Sequence, residues 1–78
     1  MQVSAILVEV MGGVNLGLIA RAALNFEIDD LRLVKPRLDE EEWEVAKIYS
    51  SHGRGKLEEA RIYEGLEEAL RDIDLAIA

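Results

Sequence analysis

The sequence predicts one α/β domain, a parallel sheet with flanking helices in the order β-α-β-α-β-α-β. Three observations carry this. Short runs of β-branched and aliphatic residues alternate with segments whose apolar residues recur every three to four positions. Glycines or capping residues punctuate most of the changeovers. No internal repeat, low-complexity tract or linker divides residues 1–78.

Each element follows from local chemistry. Residues 3–9 (VSAILVE) have the length and composition of a buried strand. Met11-Gly12-Gly13 signals a turn, and Asn15 is a preferred N-cap type. From there Leu16, Ile19, Ala20, Ala23 and Leu24 form an apolar helical stripe, with Gly17, Arg21 and Asn25 on the opposite face. Residues 31–34 (LRLV) predict a second strand, ended at Pro36. Asp39 with Glu42 three residues later resembles a capping box opening a helix to about Ser50. Gly53 and Gly55 then break the chain. Residues 57–60 predict one helical turn and residues 61–63 a short strand. Leu66, Ala69, Leu70 and Ile73 mark a third helical stripe, and residues 73–78 (IDLAIA) a last apolar strand. An apolar strand of a parallel sheet is normally covered on both faces. A strand ending at residue 78 therefore suggests a partner chain or, preferably, the first half of a larger α/β domain.

Composition narrows the classes. Half the 78 residues are hydrophobic and 32% are charged, too apolar for a disordered chain. No apolar run is long enough for a membrane span, so no membrane partner is expected. The N-terminus shows no secretory signal, which makes a cytoplasmic location the default. Without cysteine there is no disulfide, Cys-based zinc site or thiol nucleophile. Chains this short rarely build a large core unaided, which favours an oligomer or a missing remainder. The run 39–44 is acidic, but consecutive helical residues diverge and cannot converge on one ion, so no metal site is expected.

The net charge of −7 is uneven. Residues 31–37 carry Arg32, Lys35 and Arg37 without an acid, and residues 47–56 carry Lys47, Arg54 and Lys56 beside the only histidine, His52. Nucleic-acid binding needs clustered Lys and Arg. Loops at the carboxyl ends of strands offer places where these two segments would assemble. A solvated surface of mixed sign is the plainer alternative. His52 reads as a helix-end residue, while Trp43, Tyr49, Leu18 and Ala22 read as packing or partner-surface residues.

The segment 9–26 (EVMGGVNLGLIARAALNF) is the distinctive one. It combines a strand, a Gly-rich turn, a helix start and an arginine on a polar stripe. Helix N-termini after glycine turns bind anions through free amides, and an arginine adds a fork of donors suited to phosphate. An ordinary βα turn with a solvent-facing arginine remains open. The pattern is neither a dinucleotide fingerprint nor a Walker loop.

Asn15-x-Gly17-x-x-Ala20-Arg21-x-x-x-Asn25-Phe26, after a strand ending in Glu9, resembles the first motif of SPOUT-class proteins. More narrowly, it is similar to the SpoU/TrmH-like RNA 2′-O-ribose methyltransferases, nearest to the tRNA-modifying branch. The likeness continues through Leu31-Arg32-Leu33-Val34, Pro36, Gly53, Leu57, Ala60, residues 66–70, Asp72 and Asp74-Leu75. It implies the first half of a SPOUT-like α/β domain without the C-terminal knot. It also implies a homodimeric enzyme using S-adenosyl-L-methionine on tRNA or rRNA, with its cofactor site outside this chain. By the same resemblance Arg21 and Asn15 are the catalytic residues: Arg21 near the ribose 2′-hydroxyl and its phosphate, Asn15 shaping the loop. Glu9 and Asn25 are supporting residues, and Arg32, Lys35 and Arg37 join them as expected substrate contacts. Two departures stand out. Val10-Met11-Gly12-Gly13 replaces a proline-containing stretch, and Glu27 stands where the family has glycine, at little cost if the turn avoids positive φ. Two other readings are kept: a non-catalytic binding or dimerisation module of the same half-fold, and an unrelated α/β domain with an anion-binding loop.

Overall fold

The computed structural model describes residues 2–73 and, by backbone alone, residues 75–77. Asp74 and Ala78, assigned above to the family pattern and the last strand, lie outside the described residues. The elements are β1 (Val3–Val8), α1 (Gly13–Asn25), β2 (Asp30–Val34), α2 (Glu40–Ser50), a 3₁₀ turn (Ser51–Gly53), α3 (Arg54–Glu58), β3 (Arg61–Tyr63), α4 (Leu66–Ala69) and β4 (Leu75–Ile77). All pairings are parallel, in the spatial order β3-β2-β1-β4. The predicted parallel sheet with flanking helices is borne out, while the helical turn predicted at 57–60 lies earlier, as α3 at Arg54–Glu58.

Alternation along the strands builds two cores. Ala5 of β1 with Leu31 and Leu33 of β2 meets Leu16, Ala20 and Ala23 of α1, Ala46 of α2 and Leu57 of α3. On the other face Ile6 and Val34 meet Ala69 of α4, with Tyr63 and Ile73 packed alongside. Helices α1, α2 and α3 thus cover one face and α4 the other. From β3 the chain passes beyond β1 to β4, so a topological switch point lies between β1 and β4, where open α/β sheets commonly bind ligands.

The tightest packing joins α1 to α2. A methyl built on Gly13 would lie 2.1 Å from the Glu42 carbonyl oxygen, and one on Gly17 would lie 2.6 Å from that of Ala46. A methyl on Gly53 would lie 2.5 Å from the Ala20 carbonyl oxygen. The missing Cβ atoms let these backbones touch. Gly17 is therefore buried in the helix crossing, not on the polar stripe assigned to it above.

Helix ends confirm one expectation and correct three. Asp39 caps α2: its Oδ1 accepts from the Glu42 amide at 2.8 Å, and the Glu42 carboxylate accepts from the Asp39 amide at 3.3 Å. Asn15, expected as the cap of α1, lies inside the helix, and Gly12 holds the N-cap position with φ 85°. Gly55 does not break the chain but sits within α3. The third helical stripe is one turn, and only its Ala69 is buried. At the C-terminus of α1 the Ile28 amide donates to Ala23 and the Glu27 amide to Leu24, the two bonds of a Schellman motif. Glu27 occupies its left-handed position at φ 55°, so the condition for a cheap replacement, a turn without positive φ, is not met, and the family's glycine is physically motivated.

Candidate functional site

The expected site residues fall into three places. Glu9, Lys35 and Arg37 stand where β1 and β2 end, and Asn15 is exposed in the first turn of α1 beside them. Arg21 and Asn25 are exposed farther along α1. That helix runs back toward the start of the strands, where the Asp29 amide donates to the Val3 carbonyl at 2.8 Å. Six residues separate Asn15 from Arg21, a rise of about 9 Å and a turn of about 120° around the axis. Asn15 and Arg21 therefore do not converge on one atom. Arg21 and Asn25, four residues apart, share a face. Among the described residues Arg21, Asn15, Asn25 and Lys35 make no side-chain hydrogen bond or ion pair.

Arg32 is elsewhere. Its side chain is 4% exposed on the α4 side of the sheet. Nη1 donates to the Ala69 carbonyl at 2.9 Å and the Arg71 carbonyl at 2.7 Å, and Nε to Asp30 Oδ2 at 3.1 Å. The guanidinium also lies 5.9 Å from the Tyr63 ring centre. With these donors turned inward Arg32 caps the end of α4, which corrects its assignment as a substrate contact. Asp30 also accepts from Ser4 Oγ and, at 3.4 Å, from Gln2. Burial pushes the Asp30 pKa up, but the hydrogen bonds from Ser4, Arg32 and Gln2, together with the Arg32 charge, outweigh it and leave the pKa below its ordinary value.

The two basic segments do not form one patch. Arg37 Nε donates to Glu9 Oε1 at 2.8 Å, with Nη2 at 2.5 Å from the same oxygen. Lys47 pairs with Glu44 at 3.0 Å and Arg54 with Glu58 at 3.3 Å. Lys56 donates to the Asp29 carbonyl at 2.9 Å, at the opposite end of the sheet from Lys35. Both segments were expected near the same loops; the second is not. His52 is exposed beside Gly53, which lies against α1 at Ala20 and Arg21.

Backbone geometry marks the end of β1 and β2 in a way the sequence did not announce. Glu9 (φ 52°) and Lys35 (φ 47°) are both left-handed, one residue beyond the register pair Val8–Val34. Non-glycine residues held there cost about 1–2 kcal/mol each, and such strain clusters at functional sites.

An apolar groove runs beside β1, lined by Ala5, Leu7, Ile19, Ala22, Phe26 and Ile28, and among the described residues its walls offer no charged side chain. Trp43 borders two further hollows with Lys47. No group of three His, Asp or Glu side chains is arranged for a metal among the described residues, and no described helix is long and apolar enough to cross a membrane.

No family model matches the chain. It is 38% identical, over its whole length, to a tRNA (cytidine-2′-O-)-methyltransferase TrmJ of Sulfolobus acidocaldarius, and spans 32% of that protein. It is 36% identical over 97% of its length to the protein of the same name from Methanocaldococcus jannaschii, again spanning 32%. The chain thus covers about a third of these curated relatives. Among solved structures, a methylase-family protein from Haemophilus influenzae superposes with a TM-score of 0.76 at 27% identity, over 90% of this chain and 29% of that one. A methylase-family protein from Neisseria gonorrhoeae gives 0.78 at 24% identity, over 91% and 42%, and attests the fold alone.

Proposed function

We infer, from a SPOUT-class resemblance that holds over the whole chain, that this is part of an RNA 2′-O-ribose methyltransferase. The observation that carries the reading is similarity along the whole of this chain to about a third of a tRNA (cytidine-2′-O-)-methyltransferase, at 38% identity. The proposed substrate is a ribose 2′-hydroxyl of tRNA, with rRNA as the second choice, in the cytoplasm.

Arg21 is proposed to hold a phosphate beside the target ribose. Its guanidinium stays protonated far above neutral pH and gives planar donors, which suits anchoring better than proton abstraction. Asn15 and Lys35 are proposed to meet the RNA at the strand ends, and Asn25 to act beside Arg21. The separation of Arg21 from the strand ends favours a partner across a dimer seam. Val14, Leu18 and Tyr49 are exposed apolar residues around it, with Tyr49 Cβ adjoining Gly17, and we assign that face to a homodimer contact.

S-adenosyl-L-methionine, when bound, supplies the methyl group. The groove beside β1 shows no charged side chain among the described residues to hold the amino-acid headgroup, so that groove does not fit it and its site is proposed to lie outside this chain.

The test is transfer of labelled methyl from S-adenosylmethionine to unmodified tRNA by the full-length protein that carries this chain, read as alkali-resistant dinucleotides, because a 2′-O-methyl group blocks strand cleavage. Labelled resistant dinucleotides support the reading. Their absence, with the protein still folded and binding tRNA, favours the non-catalytic module.

A further inference from the structure

We propose that Glu9 is a positioning residue, holding through Arg37 the loop between β1 and α1 in the shape that meets RNA; this rests on the methyltransferase reading above. Glu9 sits at φ 52°, where glycine or asparagine is the easier residue. What a glutamate adds at that position is its carboxylate, and the carboxylate takes both Nε and Nη2 of Arg37.

The side-chain pair continues a backbone tie. The Arg37 amide donates to the Val10 carbonyl at 2.9 Å, and Met11 and Arg37 form a parallel bridge beyond the strands proper. At its far end the loop is fixed by the approach of Gly13 to the Glu42 carbonyl. Val10, between these anchors, is buried in the main core. The loop is therefore clamped at both ends, by packing at Gly13 and by charge at Glu9.

The two clamps differ in strength. Glu9 and Arg37 side chains are 47% and 66% exposed, and pairs so open contribute little to global stability. Their effect falls on the loop, and hence on RNA positioning. An Arg37 occupied by Glu9 is also a poor free contact for phosphate, which separates its role from that of Lys35, which has no ion-pair partner among the described residues.

Two measurements test this. In the first, amide exchange is followed in the protein and in Glu9→Gln. Exchange at Arg37 is expected to quicken about two- to fivefold, the range of an exposed ion pair, while Leu31 and Leu33 stay unchanged. Unaltered exchange at Arg37 overturns the clamp, whether or not the protein methylates RNA. In the second, made in the full-length protein that carries this chain, Glu9→Gln and Arg37→Gln each lower kcat with KM for tRNA nearly unchanged, and the exchanged pair Glu9→Arg with Arg37→Glu recovers most of the loss. If Arg37→Gln instead raises KM and lowers the salt slope by about one, and the exchanged pair recovers nothing, Arg37 is a phosphate contact and the proposal fails. Absence of transfer in the unaltered protein sinks the methyltransferase reading and leaves the exchange result to decide the clamp.

Discussion

Replacing Gly17 with alanine tests the packing that sets the orientation of α1. The added methyl would lie 2.6 Å from the Ala46 carbonyl oxygen, 2.7 Å from Tyr49 Cβ and 3.1 Å from the Ser50 amide nitrogen. Two of these neighbours are backbone atoms of α2, so no side-chain rotation relieves the clash and the helices must separate. Overpacking costs about 1–3 kcal/mol, and a 2.6 Å contact with a backbone oxygen that cannot rotate away puts this site in the upper part of that range, at about 2–3 kcal/mol. Alanine returns up to about 1 kcal/mol through its better helix propensity, leaving a net loss of about 1–2 kcal/mol. With a urea m-value of about 1 kcal/mol/M for a chain of this size, the midpoint falls by about 1–2 M. Gly55→Ala is the matched control. That residue is also helical, but an added methyl meets nothing within 4 Å. It should stabilise by about 0.5–1 kcal/mol, raising the midpoint. Equilibrium urea unfolding followed by circular dichroism reads both. A Gly17→Ala protein as stable as its parent would refute the claim of backbone contact between α1 and α2.

Three further outcomes follow from the same geometry. Arg32→Met leaves the Ala69 and Arg71 carbonyls and Asp30 without their buried partner; a loss of about 3 kcal/mol is expected in urea unfolding, and a loss under about 1 kcal/mol would contradict the capping role. The depressed Asp30 pKa adds stability that is present above the unfolded value and lost as pH falls below about 3.8 toward the folded value. Compared with Asp30→Asn, the parent's advantage should hold from neutral pH to about 5 and shrink below 4; an advantage that grows with acid has the wrong sign. Glu27→Gly relieves the left-handed position of the Schellman motif and should raise stability by up to about 1 kcal/mol; a loss in thermal unfolding would show that Glu27 is not strained.

How much was legible in the sequence divides by residue. Leu16, Ala20 and Ala23 were readable as a buried stripe because periodicity reports burial directly. Asp39 with Glu42 was readable as a cap because the signal is local. Gly17 was not, because counting polar and apolar residues gives glycine no side, while helix crossings select it for lacking Cβ. Spacing offered a missed signal: Gly13 and Gly17 lie one turn apart, followed by Ala20, a stripe of small residues on one face. Arg32 was misjudged by charge alone. A mid-strand residue between Leu31 and Leu33 points to the opposite face, and parallel sheets are covered on both faces, so its burial was deducible. The left-handed backbone at Glu9 and Lys35 had no sequence signal, since neither residue type favours it. The pairing of Glu9 with Arg37 likewise depends on strand register that no local pattern encodes.

RNA 2′-O-methylation is the proposed function, with Arg21 as its phosphate anchor. The most direct measurement is methyl transfer from labelled S-adenosylmethionine to unmodified tRNA by the full-length protein that carries this chain and by its Arg21→Ala variant, with cofactor binding followed in parallel by calorimetry. Arg21 is exposed on α1 and makes no ion pair among the described residues, so the variant should fold normally. Alkali-resistant labelled dinucleotides are expected from the parent, with transfer lowered at least about a hundredfold in the variant and cofactor affinity unchanged. Turnover by Arg21→Ala equal to that of the parent would contradict the assigned role, and a folded parent that binds tRNA without methylating it would contradict the claim itself.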